Sequence, residues 1–299
     1  MWPLLRKFGD LVKFEHTVFA LPFAYMGCLM AAGGHPTLHQ WAWTTIAMVG
    51  ARTAGMTFNR LIDAAIDARN PRTRDRALPA GRVSVGAARL IAVASVGVLI
   101  TAARMLTPLA LALSPLAVGL LVLYSYLKRY TPLAHFGLGL VLACAPVGGW
   151  IGVRGTLDLA PCLLAAAVVL WVAGFDILYG CLDIDFDRTE GLHSVPARWG
   201  VATALTLARA LHAATIALLA VVGLVLGLAP PWYAGVGVVT VLLGYEHSLV
   251  TESDLSKMDQ AFFTMNGWVS VTLLVFTWLS YRLADLSTLS IAHGLLTPP

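Results

Sequence analysis

The sequence predicts an all-α, polytopic membrane protein of about nine transmembrane helices, with residues 1–299 forming one membrane domain. Three observations carry this. The chain is 58% hydrophobic and 12% charged, with a mean hydropathy of +0.77, whereas soluble domains carry about 25% charge. Apolar runs of about 20 residues, long enough to cross a bilayer as helices, recur throughout. The lysines and arginines gather on alternate connections between those runs.

The spans follow in order at 16–33, 41–66, 86–105, 108–128, 133–152, 160–182, 201–224, 231–250 and 263–284. The basic, amphipathic stretch Met1–Lys13 leads into span one without a small-residue cleavage pattern. Gly33-Gly34-His35-Pro36 ends span one, and Leu106-Thr107-Pro108 parts the third from the fourth. Thr131-Pro132 and Leu228-Ala229-Pro230-Pro231 punctuate later junctions. Cys28, Cys144, Cys162 and Cys181 are far apart, show no metal-ligand spacing, and read as small packing residues.

With nine spans, the N-terminus and the loops after the second, fourth, sixth and eighth share a face. That face and its flanks hold sixteen of the twenty lysines and arginines; Arg104, Arg154 and Arg282 lie on the other, and Arg52 lies inside span two. The positive-inside rule makes the crowded face cytoplasmic. The expected location is therefore the cell's inner membrane, with the lipid bilayer, and no nucleic acid, as the surrounding partner.

The chemistry concentrates on that face. Asn59, Asp63 and Asp67 recur every four residues and form a stripe at the end of span two. Arg52 falls near the same stripe, one to two turns deeper, where an intramembrane charge needs a partner or a wet cavity. Behind the stripe comes the basic loop NPRTRDRALPAG. Span six ends in a second cluster: Asp183 and Asp187 at i, i+4, Tyr179 one turn before, and Asp176 two turns before Asp183. Asp185 faces away on an ideal helix. Each cluster closes the second span of a similar four-span block, a hint of internal duplication.

Four carboxylates sharing a low-dielectric pocket would repel one another. Hard divalent cations fit them best, because Mg²⁺ takes one or two carboxylates and bridges substrate phosphates. Arg72 and Arg76 in the basic loop, and Lys128 one turn after Tyr124, then read as phosphate ligands. Arg69, Arg74, Arg82 and Arg129 read as loop charges that set topology. Glu15 and His16 at the start of span one read either as an interfacial pair or as partners in the acceptor pocket, and the loop Thr251–Asp259 with Lys257 as a connector or as a lid over the diphosphate.

These motifs resemble those of the UbiA superfamily of intramembrane aromatic prenyltransferases. NRLIDAAID followed by RTRDRALPAG matches the first signature, and YGCLDIDFDRTEGLHS the second. RTAGMTFN matches the lead-in of the aromatic-acceptor branch, and YSYLK its tyrosine–lysine pair. Arg60 and His193 depart from the usual pattern, standing where many members have Asp and Lys. The run LVKFEHTVFALPFAY is similar to the 4-hydroxybenzoate polyprenyltransferase-like subgroup of the futalosine route to menaquinone.

The resemblance implies a UbiA-type helical bundle around a central cavity. It implies Mg²⁺-dependent transfer of a polyprenyl group from polyprenyl diphosphate to an aromatic carboxylic acid, 4-hydroxybenzoate or 1,4-dihydroxy-6-naphthoate, in ubiquinone or menaquinone biosynthesis. Asp63, Asp67, Asp183 and Asp187 would be catalytic metal ligands, with Asn59 assisting at the metal or the acceptor. Arg72, Arg76, Tyr124, Lys128 and Tyr179 would hold the diphosphate, and Arg52 the acceptor carboxylate. A transporter predicts charges at the bilayer midplane instead. A terpene-cyclising relative would leave Arg52 without a carboxylate to bind.

Overall fold

The computed structural model describes residues 17–294, and the predicted interfacial pair Glu15–His16 lies outside them. The described chain is helical, with no strand among its elements. In chain order it forms α1 (Thr17–Ala31), α2 (Leu38–Asp67), α3 (Val85–Leu106), α4 (Pro108–Leu127), α5 (Ala134–Arg154) and α6 (Leu159–Gly180). A 3₁₀ turn (Cys181–Asp183) leads to the short α7 (Ile184–Thr189), followed by α8 (Val195–Leu226), α9 (Pro230–Ser248) and α10 (Asn266–Gly294). The nine long helices coincide with the nine predicted spans. Among the described residues, α3, α4, α5, α8 and the segments built on α6 and α10 are long and apolar enough to cross a membrane by composition alone. Of the other three, α1 is short and α2 carries Arg52 and the polar stripe.

Local chemistry sets the boundaries. Thr37 caps α2 in a capping box with Gln40. Thr107 closes α3 and, through its hydroxyl, accepts from the Ala110 amide to open α4, with Pro108 at the first helical position. Ser194 caps α8. Gly200 breaks α8 at φ 82°, so the amphipathic Val195–Trp199 turn is bent away from the apolar length that begins at residue 201, the predicted start of that span.

The main core gathers α1, α5, α6 and α8–α10 around the fully buried Trp171 and Trp232. A second cluster, including Ile177, Leu178, Leu205 and Met258, lies under the charged end of α6. Helices α1 and α5 cross in near backbone contact. A Cβ added at Gly27 would sit 2.1 Å from the Pro146 carbonyl oxygen, and one at Gly149 2.1 Å from that of Ala24. Small residues that let helices touch are the usual device of membrane packing. Gly149→Ala is therefore expected to destabilise the bundle by about 1–3 kcal/mol, read as a lower thermal midpoint in detergent. Gly119→Ala, in a position with open space around it, should leave the midpoint unchanged.

Helices α1–α5 enclose an apolar cavity of about 240 Å³. Alanines and glycines make up much of its wall, including Ala24, Ala51, Ala103, Gly55 and Gly149. Arg52 and Tyr124 line it on the side of the Asn59 stripe, and Leu106 and Ile151 line it towards the opposite face.

Candidate functional site

Both acidic clusters meet at one end of the bundle. After α2 the chain folds back on itself: Thr73 Oγ1 donates to the Asp67 carbonyl at 3.1 Å, and Arg76 Nη1 reaches the Asp67 carboxylate at 2.7 and 2.9 Å. Arg60, 4% exposed, approaches the same carboxylate at 3.8 Å. Its charge thus faces inward on Asp67, where the family pattern has an acid. One turn earlier, Asn59 Nδ2 donates to Asp63 Oδ2 at 2.8 Å, and Ser125 Oγ lies 3.4 Å from the same nitrogen.

The second cluster departs from the expected single helix. Helix α6 stops at Gly180, and Asp183 sits in the 3₁₀ turn while Asp187 sits in α7. Both are buried, Asp187 completely, whereas Asp185 points outward and is exposed. Asp187 receives Lys128 Nζ at 2.8 Å and Ser194 Oγ at 2.8 Å. The His193 amide donates to the Lys128 carbonyl at 2.7 Å, so the residue that replaces a family lysine contributes through its backbone.

Two links join the halves. Arg72, from the basic loop behind the Asp63/Asp67 stripe, crosses to Asp183, with Nε at 3.0 Å and a second, shorter contact through Nη2. Its Nη1 also donates to the Tyr179 hydroxyl at 3.0 Å. Asn70 Nδ2 adds a bond to Asp183 at 3.2 Å. Burial works against the Arg72 charge, and the hydrogen-bonded Asp183 carboxylate outweighs it, holding the guanidinium pKa above its ordinary value. Arg69 pairs with Glu190 at 2.6 Å, a tie between the two motif loops beyond the topological role read from sequence.

Arg129 requires a similar correction. Read as a topology charge, it lies on Asp63 at 3.0 Å and on the Ile62 carbonyl at 2.7 Å, stacked over Tyr126. Each of the four motif aspartates thus has a cationic partner: Asp63 with Arg129, Asp67 with Arg76, Asp183 with Arg72, Asp187 with Lys128. Sequence reasoning also passed over Asn70, Ser125 and Ser194, which hold the carboxylates, and over His135. His135 Nε2 accepts from the Val195 amide at 3.3 Å, and its Nδ1 lies 2.7 Å from Asp176, joining α5, α6 and α8 beneath the site. Asn70 opens the basic loop, Ser125 lies within YSYLK and Ser194 closes the second signature, so each carried a signal; His135 carried none.

Arg52 and Tyr124 line the apolar cavity next to this network, with Tyr124 close to Ser125, Arg60 and Asp63. Arg52 Nε is buried with no hydrogen-bond partner among the described residues. The loop before α10 looks inward only in part: Lys257 is exposed, Met258 is buried in the second core cluster, and Asp259 lies close enough to Arg72 to act on its charge. Thr251 and Asp254 bond to each other across a tight turn, as befits a connector.

The model of the UbiA prenyltransferase family matches residues 20–285. A 4-hydroxybenzoate octaprenyltransferase of Xanthomonas campestris is 30% identical over 278 residues, covering 92% of each chain. One from Alkalilimnicola ehrlichii is 30% identical over 243 residues, covering 81% of this chain and 82% of that one. Among solved structures, the apo form of a UbiA homolog from Aeropyrum pernix superposes with a TM-score of 0.80 at 35% identity, covering 91% of this chain and 98% of the other. A UbiA homolog from Archaeoglobus fulgidus, bound to GPP and Mg²⁺, shares the fold at a TM-score of 0.69 and 19% identity, over 92% of this chain and 99% of that one. This chain belongs to the UbiA prenyltransferase family and is a multi-pass membrane prenyltransferase.

Proposed function

We propose that the protein transfers a polyprenyl group from polyprenyl diphosphate to a ring carbon of an aromatic carboxylic acid, releasing pyrophosphate, in quinone biosynthesis. The observation that carries this reading is one juxtaposition. A charged cluster that can take a diphosphate meets an apolar cavity that can take a prenyl tail, and Arg52, with a free buried donor, stands on the cavity wall. The names of the curated relatives support 4-hydroxybenzoate as acceptor. The resemblance of the N-terminal run keeps 1,4-dihydroxy-6-naphthoate, and with it menaquinone, beside it.

The donor set suits Mg²⁺. Around Asp63, Asp67, Asp183 and Asp187 the side-chain acceptors are oxygens, including the Asn59 amide. Among the described residues, no three acidic, histidine or cysteine side chains converge closely enough to hold an ion by themselves. Asp63, Asp67, Asp183 and Asp187 would hold Mg²⁺, an ion that takes only one or two protein carboxylates. When bound, the metal supplies charge neutralisation to the diphosphate. Arg72, Arg76 and Lys128 stabilise the charge that builds on the leaving oxygen, with Tyr124 and Tyr179 donating beside them. The allylic carbon–oxygen bond breaks, the cation is held in the dry cavity, and a ring carbon orientated by Arg52 forms the new carbon–carbon bond. The displaced ring proton passes to a nearby carboxylate, for which Asp183 is our choice. The crowded basic face supports a site on the cytoplasmic side of the inner membrane, with the chain acting as one domain.

The test is product mass from the purified protein in detergent with a polyprenyl diphosphate, Mg²⁺ and each acid in turn. The expected result is one prenylated acid and one pyrophosphate per turnover, both abolished by EDTA. Absence of pyrophosphate release with every donor would overturn the reading in favour of a carrier.

A further inference from the structure

The helices α8–α10 carry neither signature, yet the turn before α10 touches the site. Helix α10 is preceded by a single π-helical turn, Gln260–Met265. Such a turn widens the helix and takes carbonyl oxygens out of the regular ladder. Asn266, the first residue of α10, meets them: its Nδ2 lies 3.0 Å from the Phe262 carbonyl oxygen and 3.4 Å from that of Ala261. The same nitrogen lies 3.5 Å from Glu246 Oε1 on α9. Asn266 and Glu246 are both fully buried. Each also keeps a buried oxygen, Asn266 Oδ1 and Glu246 Oε2, with no hydrogen-bond partner among the described residues. Buried polar atoms without partners cost stability. An apolar pair would fill the same space without that cost, so what the polar pair supplies is the placement of the turn.

The turn presents Phe262 to the site. Its ring stacks on Tyr179, with centroids 4.1 Å apart and planes at 29°, and meets Phe175 edge-on at 5.2 Å. Tyr179 accepts the Arg72 Nη1 bond, and the guanidinium carbon lies 5.0 Å from the Tyr179 centroid. We propose that Asn266, backed by Glu246, is a positioning residue: it fixes the π turn, the turn seats Phe262 on Tyr179, and Tyr179 sets the Arg72 fork for the diphosphate. The proposal rests on Arg72 being a diphosphate ligand.

The test measures binding of geranyl diphosphate with Mg²⁺ by calorimetry on the full chain in detergent, together with thermal midpoints and KM for the acceptor. Asn266→Ala and Phe262→Leu are each expected to weaken binding about three- to tenfold, the range an aromatic stack commands. Phe262→Trp, which keeps a stacking ring, should restore it, and the acceptor KM should not move. In an Arg72→Ala background Phe262→Leu should add nothing, because both act through one guanidinium. If Arg72→Ala leaves binding intact, the diphosphate reading of Arg72 fails. If Arg72→Ala weakens binding while Phe262→Leu does not, or adds its full effect to it, the positioning role is overturned. Should Asn266→Ala fail to fold, the Phe262 pair decides alone.

Discussion

Asp63→Ala is expected to abolish prenyl transfer, lowering kcat/KM by at least about a thousandfold, the scale on which charge stabilisation at a reacting centre is lost. Asp63 accepts Asn59 and is paired with Arg129. In the proposed site, removing it takes away an oxygen that would face the metal and leaves Arg129 without its carboxylate partner. Its side chain is 23% exposed, so the loss should fall on catalysis far more than on folding. Asp185→Ala is the control: it carries the same charge and lies in the second motif, but it faces outward. The measurement is product formation with excess Mg²⁺, beside the thermal midpoint of each variant. Equal activity of Asp63→Ala and the parent protein would sink the metal-site assignment.

The second large effect belongs to Arg52. Arg52→Met keeps length and apolar bulk but removes the fork that faces the cavity. A charged, desolvated arginine–carboxylate contact is worth about 2–3 kcal/mol when one partner is cut away. The acceptor KM should therefore rise about thirty- to 150-fold, while the affinity for geranyl diphosphate stays put. An acceptor that lacks the carboxylate should lose its disadvantage in this variant. If donor binding falls instead, Arg52 belongs to the diphosphate site and the acceptor must be gripped elsewhere.

The sequence made the nine long helices legible because each is punctuated by Gly, Pro or a capping hydroxyl, and Gly200 even marks where the bent start of α8 gives way to its apolar length. The four aspartates were legible because carboxylates in an apolar chain demand a reason, and Arg52 for the same reason. Partner identity was not. Arg72 lies beside Asp67 in the chain, yet the loop carries it to Asp183, while Arg76 takes the nearer carboxylate. Arg129 reaches Asp63 only because α4 packs its end against α2. Phe262 and Asn266 were hidden entirely: an aromatic and an amide in an apolar helix read as packing until the π turn shows where they point.

The pairing of aspartates with cations also dictates an order of assembly. Asp67–Arg76 and Asp63–Arg129 lie wholly within the first 129 residues and can form as soon as α4 enters the bilayer. Arg72 and Lys128 have partners that follow them by 111 and 59 residues. At about 5–20 residues per second of synthesis, Arg72 waits roughly 6–22 s for Asp183. Until α6 and α7 arrive, the nascent chain presents unanswered positive charge at the membrane surface, where anionic headgroups would attract such residues. Lipid would then be the site's first ligand, displaced by the protein's own second half.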